Sequence, residues 1–267
     1  MVNIRKYLTF AKLNCLSNME FRSALFVWFL VELLSLVSSV FIWLAIFRSQ
    51  QTVGGYDQQG IILYYLLVPI IGMISSVHIS EDLPNKIKLG EISSQLVKPY
   101  HLATGFFAMN IGTRITQILI KIPFFISICL VLQYFTNIRL SPLYIFLGLF
   151  IAFFGLIIHF LIDFSISAVA FWSDDVWYLS HLKFILLMVF GGLTFPLDLL
   201  PTQLASIFNL LPFKYIYYVP VKVATGSIGL TELAPELGLF SFWLVVFAVL
   251  THFLWKMGIR RYGAYGN

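Results

Sequence analysis

Charge is scarce in this chain. Asp, Glu, Lys and Arg make up 11% of its 267 residues, where a soluble domain carries about 25%. So few charges cannot clothe a water-facing surface, which excludes an ordinary soluble domain. Cysteine is almost missing as well. Cys15 precedes the first long apolar stretch and Cys129 lies inside the third, so neither a disulfide framework nor a thiolate metal site is expected. No Gly-x-x-x-x-Gly-Lys-Ser/Thr run occurs, and the chain therefore has no phosphate-cradling loop of its own. No His-Glu-x-x-His and no Gly-x-Ser-x-Gly occurs either, which removes the usual metalloprotease and serine-hydrolase signatures. The histidines His78, His101, His159, His181 and His252 are scattered, whereas a metal needs converging ligands. Internal repeats and low-complexity segments are absent.

What is present is apolar. Hydrophobic residues reach 60% and aromatics 17%, with 27 Phe. One globular core cannot hide that much apolar surface, so lipid must face part of it. A spanning helix takes about 20 apolar residues. Six stretches qualify: Ala24–Phe47, Ile61–Ile79, Gly105–Phe135, Pro142–Trp172, Leu179–Leu200 and Leu237–Met257. The third and fourth exceed what a bilayer needs, and tilt or projection accommodates the excess. The first is too long for a signal-peptide core and reads as a retained span. Between Pro201 and Glu236 the apolar sequence is broken by Pro201, Pro212, Pro220 and Pro235, which predicts short helices and turns in place of one helix.

Six spans put both termini on one side. That side holds Arg5, Lys6, Lys12, Arg22, Lys86, Lys88, Lys98, Lys183, Lys256, Arg260 and Arg261. The other holds Arg48, Arg139, Lys214 and Lys222. The excess places both termini in the cytoplasm of the inner membrane. The net charge of +5 reflects this rule, and nucleic acid is not an expected partner. Residues 3–22 place Ile4, Tyr7, Leu8, Ala11, Cys15 and Met19 on one helical face, which predicts an amphipathic helix in the inner interface.

The polar run 80–99 lies on the same side. Pro84 and Pro99 bracket it and Gly90 permits a turn. Glu81, Asp82, Lys86, Lys88 and Glu91 offer a charged rim, and Ile87, Leu89, Ile92 and Leu96 an apolar docking face. Four charges within spans stand out: Glu32, Arg114, Lys121 and Asp163. At about 1.5 Å per residue, Glu32, Arg114 and Asp163 share a depth in the inner half of the membrane. Arg114 is expected to face Asp163 or Glu32, as a structural ion pair or as a polar lining. Lys121 stands seven residues from Arg114, on nearly the same face.

The order of these parts resembles the membrane subunit, or permease, of type-2 ATP-binding-cassette (ABC) transporters. The local pattern resembles one branch more closely. It consists of Glu81-Asp82, Gly90-Glu91-Ile92, Leu96 and Lys98-Pro99. Phe171-Trp172, Gly191-Gly192, Pro196-Leu197, Leu200-Pro201 and Leu211-Pro212-Phe213 follow, with Gly258, Arg260, Arg261, Tyr262, Ala264 and Gly266 in the tail. The resemblance implies one all-α transmembrane domain over 1–267. It has an N-terminal interfacial helix at 3–22, six transmembrane helices, a coupling segment at 80–99 and external re-entrant helices at 197–226 around Pro196, Pro201 and Pro212.

Function follows from the resemblance too. It implies a permease without a motor or cofactor of its own, paired with a second permease, in a hetero- or homodimer. Two cytoplasmic ATPase subunits that bind ATP and Mg would drive export of a hydrophobic or amphipathic substrate such as a lipid, glycolipid or drug. The aromatic and aliphatic spans favour lipid-like cargo. An ion-coupled secondary transporter using Glu32, Arg114 and Asp163 is the second reading. A non-transporting membrane anchor for a cytoplasmic complex is the third.

Overall fold

In lipid a backbone must satisfy its own hydrogen bonds, and the α-helix does so within a single segment. The computed structural model describes residues 4–135 and 141–262, which form helices joined by turns, with no β-strand among the described residues. Arg139, Ala264, Gly266 and the side chain of Cys129 lie outside what is described.

Helix α1 (Ile4–Glu20) is separated from α2 (Arg22–Ile46) by Phe21 alone. Helix α3 (Gln58–Ser75) follows, its N-terminus capped by Asp57, which accepts the Gly60 N–H at 2.8 Å. A 3-10 turn at Ile79–Glu81 leads into two short helices, α4 (Leu83–Lys88) and α5 (Ile92–Leu96). Then come α6 (Leu102–Phe135), α7 (Pro142–Ala168) and α8 (Trp177–Phe190). Helices α9 (Thr202–Phe208) and α10 (Tyr218–Ala224) are short, and α11 (Leu230–Tyr262) closes the bundle.

Among the described residues five helices, α2, α3, α6, α7 and α11, are long and apolar enough to cross a membrane. The fifth apolar stretch departs from expectation. Leu179–Leu200 is not one helix: α8 stops at Phe190 after 14 residues, about 21 Å at the standard rise and short of a hydrocarbon core of about 30 Å. Gly191 and Gly192 end it, and Gly192 takes a φ of +79°, which side chains with a Cβ avoid. The backbone then runs through 3-10 turns at Leu197–Leu199 and Pro212–Tyr215.

The later part of the broken region is held inside the protein. Tyr215 to Val219, Val221, Val223 and Ala224 are buried among Tyr64, Leu67 and Ile71 of α3, Ala152 and Ile158 of α7 and Phe240 of α11. Backbone comes close there: a Cβ on Gly155 of α7 would stand 2.4 Å from the Tyr215 carbonyl oxygen. Non-helical backbone at membrane depth is tolerated where protein surrounds it.

Helix α1 lies along the first half of α6 and runs in the same direction, Ala11 against Gly112 and the Cys15 carbonyl accepting the Thr116 hydroxyl at 3.3 Å. Asn14 and Asn18 bond Thr113. The expected apolar face is thus divided. Tyr7, Ala11 and Cys15 turn toward α6, whereas Ile4, Leu8 and Met19 are exposed. The chain's own α6 takes the contacts that the sequence pattern assigned to lipid.

Candidate functional site

The polar run between α3 and α6 folds as a helical hairpin. Pro84 stands in the first turn of α4, where its missing N–H costs nothing. Lys86 pairs with Asp82 one turn earlier. Gly90 reverses the chain with a φ of +77°, and α5 begins two residues later.

The docking face expected here splits in two. Ile87 and Ile92 are buried, at 4% and 0% exposure, in a cluster with Leu83, Phe106, Phe164 and Phe171. These aromatic rings supply an apolar surface within the chain, so neither isoleucine is available to a partner. Leu89 stays 70% exposed and Leu96 is exposed too. Val97, at 85% exposure, joins them, although no sequence signal singles it out. Lys88, Gly90 and Glu91 flank Leu89 in sequence and Lys98 and Pro99 follow Val97, all exposed, and Glu81 and Asp82 are also exposed.

The hairpin is rooted on several sides. At its start, Asp163 of α7 accepts the Ser80 N–H at 2.9 Å and the Ser80 hydroxyl at 2.6 Å, and it pairs with Lys183 of α8. At its turn, the Tyr262 hydroxyl of α11 bonds the Gly90 carbonyl at 3.0 Å and the Ser93 hydroxyl at 2.6 Å. At its end, Lys6 donates to the Pro99 carbonyl at 3.4 Å. The His101 N–H donates to the Tyr7 hydroxyl at 3.0 Å, and the Phe10 and Tyr100 rings meet edge-on with centroids 5.0 Å apart. Exposed Glu81 has its carboxyl held below the ordinary glutamate range, chiefly by the hydrogen bond from His78, against the upward push of partial burial.

The four intramembrane charges do not form one cluster. Glu32 pairs with Lys121 at 2.6 and 2.8 Å. Asp163 pairs with Lys183, a residue the sequence pattern assigns to the membrane edge. Arg114 forms an ion pair with neither Asp163 nor Glu32. It is 4% exposed, donates to the Gln117 side chain at 3.1 Å, and its Nε has no hydrogen-bond partner. The trio invoked for ion coupling therefore does not converge.

At the far end of the bundle Asp198 is a hub. It accepts the Tyr218 hydroxyl at 2.6 Å and the Tyr56 hydroxyl at 2.5 Å, and Lys222 stands 3.0 Å away. Lys214 pairs with Glu236 at 2.7 Å, and the Tyr215 hydroxyl donates to the same carboxylate at 2.9 Å. The prolines mark the joints: Pro196 precedes one 3-10 turn, Pro201 precedes α9 and Pro212 starts the second turn.

A bundle of long apolar helices thus carries, at one end, a rooted helical hairpin with an exposed apolar tip. The family model described as ABC-2 family transporter protein matches residues 33–266. The chain belongs to the ABC-2 transporter family. No curated protein and no solved structure matches it. An ABC-2 permease is the membrane component of an ABC transporter and is not itself the catalytic chain. The match spans the hairpin, the broken stretch after α8 and the last helix, the parts on which the sequence resemblance rests.

Proposed function

We propose that this ABC-2 permease is the transmembrane subunit of an ATP-driven exporter, and that the hairpin is where separate ATPase subunits grip it. The observation that carries this reading is the hairpin's two-sidedness. Ile87 and Ile92 root it in the bundle, while Leu89, Leu96 and Val97 project beside Lys88, Glu91 and Lys98. An interface of apolar centre and charged rim is what a docking partner reads. A hairpin that exposes these side chains while its base is buried and its turn is tied to α11 by Tyr262 transmits displacement inward.

On this reading the hairpin and both termini are cytoplasmic, in line with the Lys and Arg asymmetry. Helix α8 and the backbone after it make the fifth of six crossings, and the short helices of 197–226 are re-entrant from the outer face. The exposed Ile4, Leu8 and Leu16 of α1 meet lipid at the inner interface. A second permease chain completes the path, and ATP closing the ATPases switches its access. The cargo is amphipathic or lipid-like, matching the apolar span surfaces.

Co-purification tests the reading. An ATPase is expected to accompany the chain from its native membrane, and Glu91→Lys is expected to weaken that association. Purified chain that moves cargo on a proton gradient with no ATPase present would establish the secondary-transport reading in its place.

A further inference from the structure

Ser80 opens the hairpin, and every polar group it has is held by another helix. Asp163 of α7 takes its N–H and its hydroxyl. Ser180 of α8 donates its hydroxyl to the Ser80 carbonyl at 3.2 Å. Lys183, one turn further along α8, pairs with Asp163 and also donates to the Val77 carbonyl at 3.3 Å. Asp163 is 0% exposed and Lys183 7%. One carboxylate therefore joins the backbone entering the hairpin to two helices at once.

A buried ion pair is a poor source of stability, since apolar residues of similar volume often serve as well. What the pair provides, and an apolar contact cannot, is a directional hold on particular backbone groups. We infer that Asp163 and Lys183 are positioning residues that make the start of the hairpin, the inner end of α7 and helix α8 move as one body. Displacement of the tip then reaches α8. That helix is short and ends at a fixed pivot: Gly192 turns the chain with a positive φ, the Gly191 carbonyl accepts the Tyr218 N–H at 3.0 Å and the Gly192 carbonyl accepts the Tyr64 hydroxyl at 2.6 Å. The inference rests on the ATP-driven reading and names the joint within it.

Spin-label distances test it in the complex of permease and co-purifying ATPase, reconstituted in nanodiscs with Cys15 and Cys129 replaced by serine. Labels go at exposed positions away from the docking residues: Asn85 on the hairpin, Phe184 on α8 and Leu34 on α2 as reference. The complex carries one labelled permease copy. On trapping with ATP and vanadate, Asn85 and Phe184 are both expected to shift relative to Leu34 while their mutual distance holds. In Asp163→Asn and in the milder Ser80→Ala, Asn85 is expected to shift as before and Phe184 to lose its shift. Ser80→Thr, which keeps the hydroxyl, is expected to restore it. A purely structural role would lower the melting temperature and leave this pattern intact. An undiminished Phe184 shift in both Asp163→Asn and Ser80→Ala overturns the joint and leaves the ATP-driven reading standing. No ATP-dependent shift at Asn85 in the otherwise unsubstituted complex overturns that reading, and the joint with it.

Discussion

Leu89 and Ile92 stand three residues apart in one hairpin and should fail in opposite ways. Ile92 is 0% exposed in the cluster with Phe106, Phe164 and Phe171. Truncating a fully buried isoleucine to alanine removes its transfer free energy and leaves a cavity, together about 2–5 kcal/mol. Leu89 is 70% exposed, so Leu89→Ala should change stability by no more than about 0.5 kcal/mol. Its cost falls on the partner. Losing an apolar anchor from the middle of an interface weakens binding by more than about 1 kcal/mol, about fivefold or greater. Thermal melting of the purified chain reads the first quantity and titration with the ATPase reads the second. Ile92→Ala should melt early, and the fraction still folded should bind normally. Leu89→Ala should melt normally and bind weakly. If Leu89→Ala binds as tightly as the unsubstituted chain, the exposed tip is not the docking surface. If Ile92→Ala leaves melting unchanged, the hairpin is not rooted where the packing puts it.

Other substitutions probe the bundle and its far end. Gly155→Ala forces a methyl to 2.4 Å from the Tyr215 carbonyl oxygen; it should cost about 1–3 kcal/mol in melting assays. Gly238→Ala in α11, with nothing within 4 Å of the added carbon, should be neutral or stabilise by up to about 1 kcal/mol. Asp198 accepts the Tyr56 and Tyr218 hydroxyls and pairs with Lys222; Asp198→Asn weakens these charge-assisted bonds and should cost about 1–3 kcal/mol in melting assays.

Much of the architecture is legible in the sequence because period and length carry it. Five of the six apolar stretches form long helices, and Pro201 and Pro212 mark broken backbone, whereas Pro220 lies within α10 and Pro235 within α11, which starts at Leu230 and runs through it. The stretch Leu179–Leu200 misleads because hydropathy sees composition and not dihedral angles. Leu193, Phe195 and Leu197 are as apolar as any helical residue, and only Gly191-Gly192 marks where the helix stops. The hairpin's location is equally legible, from its charges and from Pro84, Gly90 and Pro99. Its facing is not. Two helices of six and five residues are too short for periodicity to fix a face, and the rings that bury Ile87 and Ile92 include Phe164 and Phe171, far away in sequence.

The ion pairs show how far depth alone can go. Counting residues along each span puts Glu32, Arg114 and Asp163 at one level, but depth says nothing of which helices are neighbours. Asn110, Arg114, Gln117 and Lys121 recur at i, i+4, i+7 and i+11, one stripe of α6. The stripe meets Glu32 through Lys121 and leaves Arg114 to Gln117. Asp163 carries a stronger clue. Helices α7 and α8 are consecutive and reverse direction between Val169 and Val176. Residues equally far from such a reversal return to one level, and Asp163 and Lys183 each lie ten residues from Ser173. Sequential elements are usually spatial neighbours, so a carboxylate and an ammonium mirrored across a short reversal, both in apolar surroundings, should be paired with each other before any distant helix is considered. That rule selects Lys183 over Arg114 from sequence alone. Ser80 it cannot find, because a backbone N–H offered to a buried carboxylate leaves no mark on composition.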